Sequence, residues 1–422
     1  MPTPPPVDLD DVDLTDLDRF ARNEAWGQFH TLRHEAPVFW QPEAAPASGF
    51  WSVTRYEDIS AVDRDGETFT SMKFVNLEEV DDDLQDLRRS MLETDGTRHR
   101  ALRKLIQREF GRGPLTRAYE DFLRGLTRST VDAALARPGD EFDFVTEISA
   151  DFPIQVLARL LDVPNEDTGK LIDWGNQMIG NTDPDYSQHL LSDPDSDRFK
   201  HLPFRSPAAV EVFEYGRKLA RERRGGDGTD LISLLVNRTP EDGEPLTATD
   251  FDNYFLLLVV AGNETTRHTI SQAMLALIEN PDQLALLQAQ PELIPGAVEE
   301  FLRWASPVYH FRRTATRDVE LGGQKIKDGD KVVMWFAAAN RDEDAFTDPY
   351  RLDVTRKPNN HLAFGTGMHT CLGNSLARME IRLMFEELIP RLEHIELAGP
   401  VTRVRSNFVN GIKSFPVRVQ AR

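Results

Sequence analysis

The sequence predicts a mainly α protein with a minor β region, and three observations carry that reading. Apolar residues recur at helical spacing along most of the 422 residues. Alternating β patterning is confined to two places, Phe50-Trp-Ser-Val-Thr54 and Val319 to Phe336. One segment, Thr249 to Glu279, reads as a single helix long enough to cross the molecule.

Taken in order, residues 1–20 begin Met-Pro-Thr-Pro-Pro-Pro-Val-Asp-Leu-Asp-Asp, acidic and proline-rich, and are expected to be flexible. Such a start is the reverse of a secretion signal. Residues 21–422 hold no internal repeat and no long Gly/Ser linker, so one folded domain is expected. Phe50 to Thr54 is the first strand, and the acidic stretches 78–83 and 192–197 read as solvated loops or helix ends. The long helix opens on Thr249-Asp-Phe-Asp252, a capping-box pattern, and stops at Asn280-Pro281. At 1.5 Å per residue it would span about 46 Å. Its centre, Tyr254 to Val260, is apolar on every face, which implies burial all round. Val319 to Phe336 is expected to be a hairpin turning at Gly322-Gly323, and Asn374 to Leu388 a final helix.

Composition narrows the function. Lys and Arg number 49 against 70 Asp and Glu, a net charge of -21, which argues against nucleic acid or acidic lipid as partners. The longest apolar run, Phe255 to Ala261, falls short of the roughly 18 residues of a membrane helix, so no membrane insertion is expected. The chain has one cysteine, Cys371, which cannot form an internal disulfide and favours a reducing, cytoplasmic setting.

Three constellations carry chemistry. Inside the buried helix stands Ala261-Gly262-Asn263-Glu264-Thr265-Thr266. Gly costs about 1 kcal/mol there relative to Ala, and a carboxylate is costly without partners. Either Gly262 admits a neighbouring group while Glu264 and Thr265 form a proton-relay pair, or the helix is kinked and Glu264 meets an Arg elsewhere. The second is Phe364-Gly365-Thr-Gly367-Met-His369-Thr-Cys371-Leu-Gly373, whose cysteine stands at the entrance to a helix. Backbone N–H groups and the macrodipole favour a thiolate at such a place, a good iron ligand, and Phe364 would shield the sulfur. Glycines two apart would let the loop pass close to a flat cofactor. The third is Glu300-Phe-Leu-Arg303, an ion pair at i, i+3.

These residues resemble the bacterial cytochromes P450, haem-thiolate monooxygenases. The signature Phe-x-x-Gly-x-His/Arg-x-Cys-x-Gly is met at every position from Phe364 to Gly373, and Ala261 to Thr266 matches the family's Ala-Gly-x-Glu/Asp-Thr-Thr motif. The resemblance implies the P450 fold, with the long helix over haem b, Cys371 as axial ligand and Glu264 with Thr265 as the acid–alcohol pair. Ala261, Gly262, Phe364, Gly365 and Gly373 would approach the haem. His99, Arg103, Arg313, His361 and His369 would serve its propionates, and Glu300 with Arg303 would form a structural pair completed by Arg351 or Arg356.

The implied reaction inserts one oxygen atom of O2 into a C–H bond of a hydrophobic substrate. Electrons would come from a ferredoxin and its reductase to a monomeric enzyme. Residues 98 to 117 carry seven Arg or Lys against the single Glu109, and Arg100, Lys104, Arg108 and Arg112 are candidates for the docking face. Pocket walls are expected from Phe74, Met178, Leu258, Val259, Val308, Phe311, Phe408 and Val409. Trp174 to Pro184 and Asn407 to Lys413 resemble stretches of enzymes that hydroxylate sterol side chains, methyl-branched lipids and terpenoids. A tailoring hydroxylase of aromatic or macrolide products uses the same machinery, a peroxide-driven peroxygenase typically lacks the acid–alcohol pair, and a haem sensor or carrier would need no relay.

Overall fold

The computed structural model describes residues 3–44, 47–137 and 139–422, with the side chains of 112 and 114–118 outside the description. Helices dominate, and the longest, α1 (Ala248–Glu279), is buried along most of its 32 residues. Its cap lies two residues earlier than the sequence suggested. Thr247 Oγ1 accepts from Asp250 N–H at 3.1 Å, and Asp250 Oδ2 accepts from Thr247 N–H at 2.9 Å. Asp252, the acid of the expected box, instead pairs with Arg217.

Around α1 pack the helices Asp151–Leu161, Thr168–Ile179, Ala208–Arg223 and Ile294–Ala305, all contributing to one apolar core. Beneath it runs α2 (Asn374–Leu388), the helix that follows Cys371. Five strands form a sheet at one side, in the order β1 (Val38–Gln41), β2 (Phe50–Val53), β5 (Lys331–Trp335), β4 (His310–Ala315) and β3 (Phe69–Thr70). The expected hairpin is therefore divided. Val319–Leu321 does pair with Gln324–Ile326 across Gly322-Gly323, both at positive φ, but β5 leaves them to run parallel to β2 and antiparallel to β4. All five residues of β5 are buried, and a strand buried on both faces belongs in a sheet interior. Residues 392–397 and 416–421 form a further small sheet with 141–143.

The N-terminal segment is not loose through residue 20. Val12, Leu14 and Phe20 are buried in an aromatic cluster with Trp26, Phe29, Tyr309 and Trp335. These apolar side chains, spaced among the aspartates, have a surface to cover. Glu78 likewise departs from the solvated loop expected of its acidic stretch. It is buried because Arg88 grips both its oxygens at 2.7 Å and Arg205 Nε donates to Oε1 at 2.9 Å.

Candidate active site

The cysteine loop is held from both sides. Cys371 N–H donates to Phe364 O at 2.9 Å, and Asn374 Nδ2 donates to Cys371 O at 2.6 Å. Gly365 and Gly367 adopt φ of +63° and +64°, a region that disfavours any residue with a Cβ. What approaches them is the end of the helix Tyr56–Arg64, since a Cβ on Gly367 would stand 2.8 Å from Asp63 O. Asp63 also accepts from Thr366 N–H at 2.7 Å and from Arg313 at 2.8 Å. The two glycines thus serve the loop's seat on that helix rather than clearance for a cofactor. Burial pushes the Cys371 thiol up, and the Gly373 N–H, Arg103 and Arg378 pull it down without overcoming that. A thiolate here therefore requires a cation at the sulfur, which is what an iron ligand meets. Phe364 is half-buried under the Arg378 guanidinium, 4.6 Å from its ring centre.

The five expected propionate ligands separate into two groups. Arg313 forms a buried pair with Asp63, and His361 Nε2 lies 3.1 Å from Glu299, which Arg378 also holds. Both side chains are engaged by carboxylates that the sequence reading did not link to them, and burial lowers the His361 pKa. Arg103 has no carboxylate partner among the described residues and is close enough to Cys371 to feel its charge; burial lowers its pKa. His99 packs 4.2 Å, ring to ring, against His369. Its Nδ1 faces Met91 O at 3.0 Å and its Nε2 faces Met368 O at 3.2 Å. His369 Nε2 is paired with Asp95 at 2.8 Å, while its Nδ1 is buried without a partner. A half-buried cysteine, an unmatched guanidinium beside it and an orphaned imidazole nitrogen fit a haem with acidic side arms.

On α1, Ala261 is exposed although its neighbours Val260 and Asn263 are buried, and Thr265 one turn on is half-exposed. This face looks into empty space. Thr265 Oγ1 donates to Ala261 O at 3.1 Å. Gly262 points elsewhere: a Cβ there would meet Leu157 at 3.2 Å, so its function is close packing of the helix Asp151–Leu161 and not contact with a cofactor.

Glu264 is 1% exposed and is held by groups of its own helix. Arg267 and Asn263 each donate to Oε1 at 3.2 Å. His268 Nε2 lies 3.2 Å from Oε2 but off the hydrogen-bonding direction, leaving Oε2 without an aligned donor. Ile412 N–H donates to His268 Nδ1, which places the ring proton on Nε2, toward Glu264. Burial raises the Glu264 pKa, but Arg267 and then His268 outweigh it and the net direction is down. Arg267 reaches on to Asn176 at 3.1 Å and Tyr186 at 2.7 Å. Arg267 and His268 stand at i+3 and i+4 from Glu264, so helical spacing alone would have found them; Asn176 and Tyr186 come from distant segments.

A partly open cavity is bounded by Ala261, Glu264 and Thr265. Phe74, Val308, Phe311, Phe408 and Val409 line it as expected. Met178, Leu258 and Val259 do not; they are buried in the core, and Ile179, Leu256, Leu257 and Val260 line the space instead. The error is one of helical phase, because the face that carries Ala261 and Thr265 carries Leu257 and Asn253 one and two turns earlier. Asn76, Arg88, Ser90, Glu93 and Asn253 also border the cavity, a polar group not anticipated.

Below the cysteine loop, Glu300 is bound by Arg303 at 2.7 and 2.8 Å and by Arg356 Nε at 3.0 Å, so the third arm is Arg356; Arg351 is exposed. The basic segment is partly spent within the chain. Lys104 pairs with Glu241, and the adjacent Arg98 with Asp242 and Asp250. Arg100 and Arg108 are exposed and have no carboxylate partner among the described residues, whereas the Arg112 side chain lies outside them.

Comparison with known proteins agrees with this geometry. The cytochrome P450 family model matches residues 49–415. A methyl-branched lipid omega-hydroxylase of Mycobacterium tuberculosis is 37% identical over 98% of this chain and 96% of its own. A steroid C26-monooxygenase of the same species is 36% identical over 96% of this chain and 92% of its own. Among solved structures, a Mycobacterium marinum cytochrome P450 in complex with pseudoionone is 38% identical and superposes with a TM-score of 0.87, covering 99% of this chain and 100% of that one. No helix among the described residues is long and apolar enough to cross a membrane. The family match across residues 49–415 and these identities over nearly the whole chain leave one assignment: the chain belongs to the cytochrome P450 family, monooxygenases built on haem b.

Proposed function

We propose that this enzyme hydroxylates a hydrophobic molecule of the sterol, methyl-branched lipid or terpenoid type, in the cytoplasm and as a monomer, with electrons from a ferredoxin and its reductase. The observation that carries the substrate class is the cavity, whose walls are mostly aliphatic and aromatic and which ends at Ala261 and Thr265. The two mycobacterial relatives act, by name, on methyl-branched lipid and steroid, and the structural relative was solved with pseudoionone.

When bound through Cys371, haem b supplies the activation of O2, and the thiolate's electron donation favours O–O cleavage. The residues of the chain supply everything around that. Arg103, His99 and His369 are the propionate set, with Arg313 and His361 positioning Asp63 and Glu299 instead. Thr265, by releasing its bond to Ala261 O, can hold a water on the cavity side of α1. Glu264, held ionised beside Arg267, is a relay carboxylate that can take up a proton in passing and hand it toward that water. His268 keeps its Nε2 proton on the Glu264 side and, with Arg267, holds that carboxylate ionised.

The test is a spin-state titration of the purified haem protein against sterols, branched fatty acids, terpenes and aromatics. Displacement of the iron-bound water by the first three classes and not by aromatics is the expected result. Preference for aromatics would assign the enzyme to natural-product tailoring.

A further inference from the structure

The apolar cavity has one polar end, and that end lacks two hydrogen bonds. Arg88 is 4% exposed and borders the cavity. Its Nη1 donates to Glu78 Oε1 and to Lys200 O, and its Nη2 to Glu78 Oε2. Its Nε–H has no acceptor. Asn253, 1% exposed and also on the cavity wall, donates through Nδ2 to Leu87 O at 2.9 Å. That bond fixes the amide's orientation and leaves Oδ1, an acceptor, without a donor. Because Asn253 is tied to the residue preceding Arg88, the two unmatched groups come from adjoining parts of the same cavity wall. Each buried polar group left unmatched costs roughly 1–3 kcal/mol, and such a pair in a binding wall calls for a ligand that supplies both partners.

We propose that Arg88 and Asn253 form a hydroxyl-binding subsite, so that the substrate is a long hydrophobic alcohol oxidised at the end remote from its hydroxyl. This rests on the monooxygenase function and deepens it by naming the group that anchors the substrate. A hydroxyl donates to Asn253 Oδ1 and accepts from Arg88 Nε–H, completing both bonds once the two side chains turn toward it. A ketone or ether satisfies Arg88 and leaves Asn253 Oδ1 unmatched. A carboxylate sets an anion against Asn253 Oδ1 and against Glu93, while the charge of Arg88 is already matched by Glu78 in a bidentate pair. Glu93 itself, held by Ser90 N–H and Oγ, has its pKa raised by burial, so this end of the cavity is a poor host for further negative charge.

The geometry also sets a length. Asn253 precedes Ala261 by eight residues on α1 and Thr265 by twelve, which at 1.5 Å each places the anchor about 12 to 18 Å from the oxygen-activating turn. The carbon that reacts is therefore far from the hydroxyl.

The experiment uses purified haem protein and spin-state titration with 1-dodecanol, 1-methoxydodecane and dodecanoic acid. In the wild type the alcohol is expected to bind about tenfold more tightly than the ether and the acid, the worth of one or two buried hydrogen bonds. In Asn253→Ala that preference should disappear while ether binding stays within twofold, whereas in Arg88→Lys, which keeps the charge beside Glu78, alcohol and ether should weaken together and the preference should remain. Product analysis should place oxygen in the last few carbons. Equal binding of alcohol and ether, tightest binding of the acid, or an equal loss for all ligands in both variants would overturn the subsite. A reduced CO complex without the thiolate signature would overturn the monooxygenase assignment itself, and is read separately from the ligand series.

Discussion

Thr265 shows how one hydroxyl can matter without contributing to stability. Its bond to Ala261 O is made within the helix, so Thr265→Ala should leave folding and substrate binding near the wild type. What it should lose is coupling: NAD(P)H consumption continues, product falls several-fold and peroxide rises, measured as product and peroxide formed per NAD(P)H. Cys371→Ser should remove the thiolate signature from the reduced CO spectrum, because burial already disfavours the anion and the alcohol is a far weaker acid than the thiol. Arg267 poses a different problem. With Arg267→Met the buried Glu264 loses the cation that lowers its pKa, and the cost should be about 3–5 kcal/mol at neutral pH. The sign follows from linkage: the wild-type carboxylate stabilises the fold above the unfolded carboxyl pKa, whereas in the variant Glu264 takes up a proton readily. The deficit in denaturant unfolding should therefore shrink as the pH falls from 7 toward 5.

At the scale of elements, β4 carries a buried titration. His310 stands among Trp335 and Phe408, its Nδ1 near Asn407 O at 3.0 Å and its Nε2 unpartnered, and burial lowers its pKa to about 4. The unfolded chain takes the proton near pH 6.5 and the folded one only near 4, so stability is full above 6.5 and falls as pH drops through that window. That difference corresponds to about 3 kcal/mol once the pH has fallen to about 4, and His310→Gln should flatten this slope in denaturation curves at pH 7, 6 and 5. Legibility divides along the same line between local and distant. Cys371, Glu264, Thr265 and the Glu300–Arg303 pair were readable because their chemistry lies within one stretch or one helical turn. Asp63, Glu299 and Arg356 were not, since their bonds to Arg313, His361 and Glu300 join segments whose approach only the packed fold decides. The pairing of β2 with β5, about 280 residues apart, is of that kind as well. Helical phase sits between the two: Ala261 and Thr265 already fixed which face of α1 meets the cavity, and Leu257 and Asn253 follow from it.

For the whole molecule the net charge of -21 is a long-range field that would repel an acidic electron donor, so docking of the proposed ferredoxin would depend on the local exception. Seven cations in residues 98–117 overstate that exception. Arg103 turns toward Cys371, Arg98 is held by Asp242 and Asp250, and Lys104 is held by Glu241. Arg100 and Arg108 are exposed and unmatched among the described residues, and they carry the attraction that remains. Replacing both in Arg100→Glu plus Arg108→Glu should lower the apparent second-order rate with an acidic ferredoxin about tenfold at low salt, and much less at 0.5 M salt, where the Debye length is only a few ångströms. Glu241→Gln tests the masking in the opposite direction: it releases Lys104 and should raise that rate a few-fold without altering the substrate-induced spin shift. Stopped-flow reduction across a salt series separates the two effects, and a rate indifferent to salt and to both variants would place the donor on another face of the molecule.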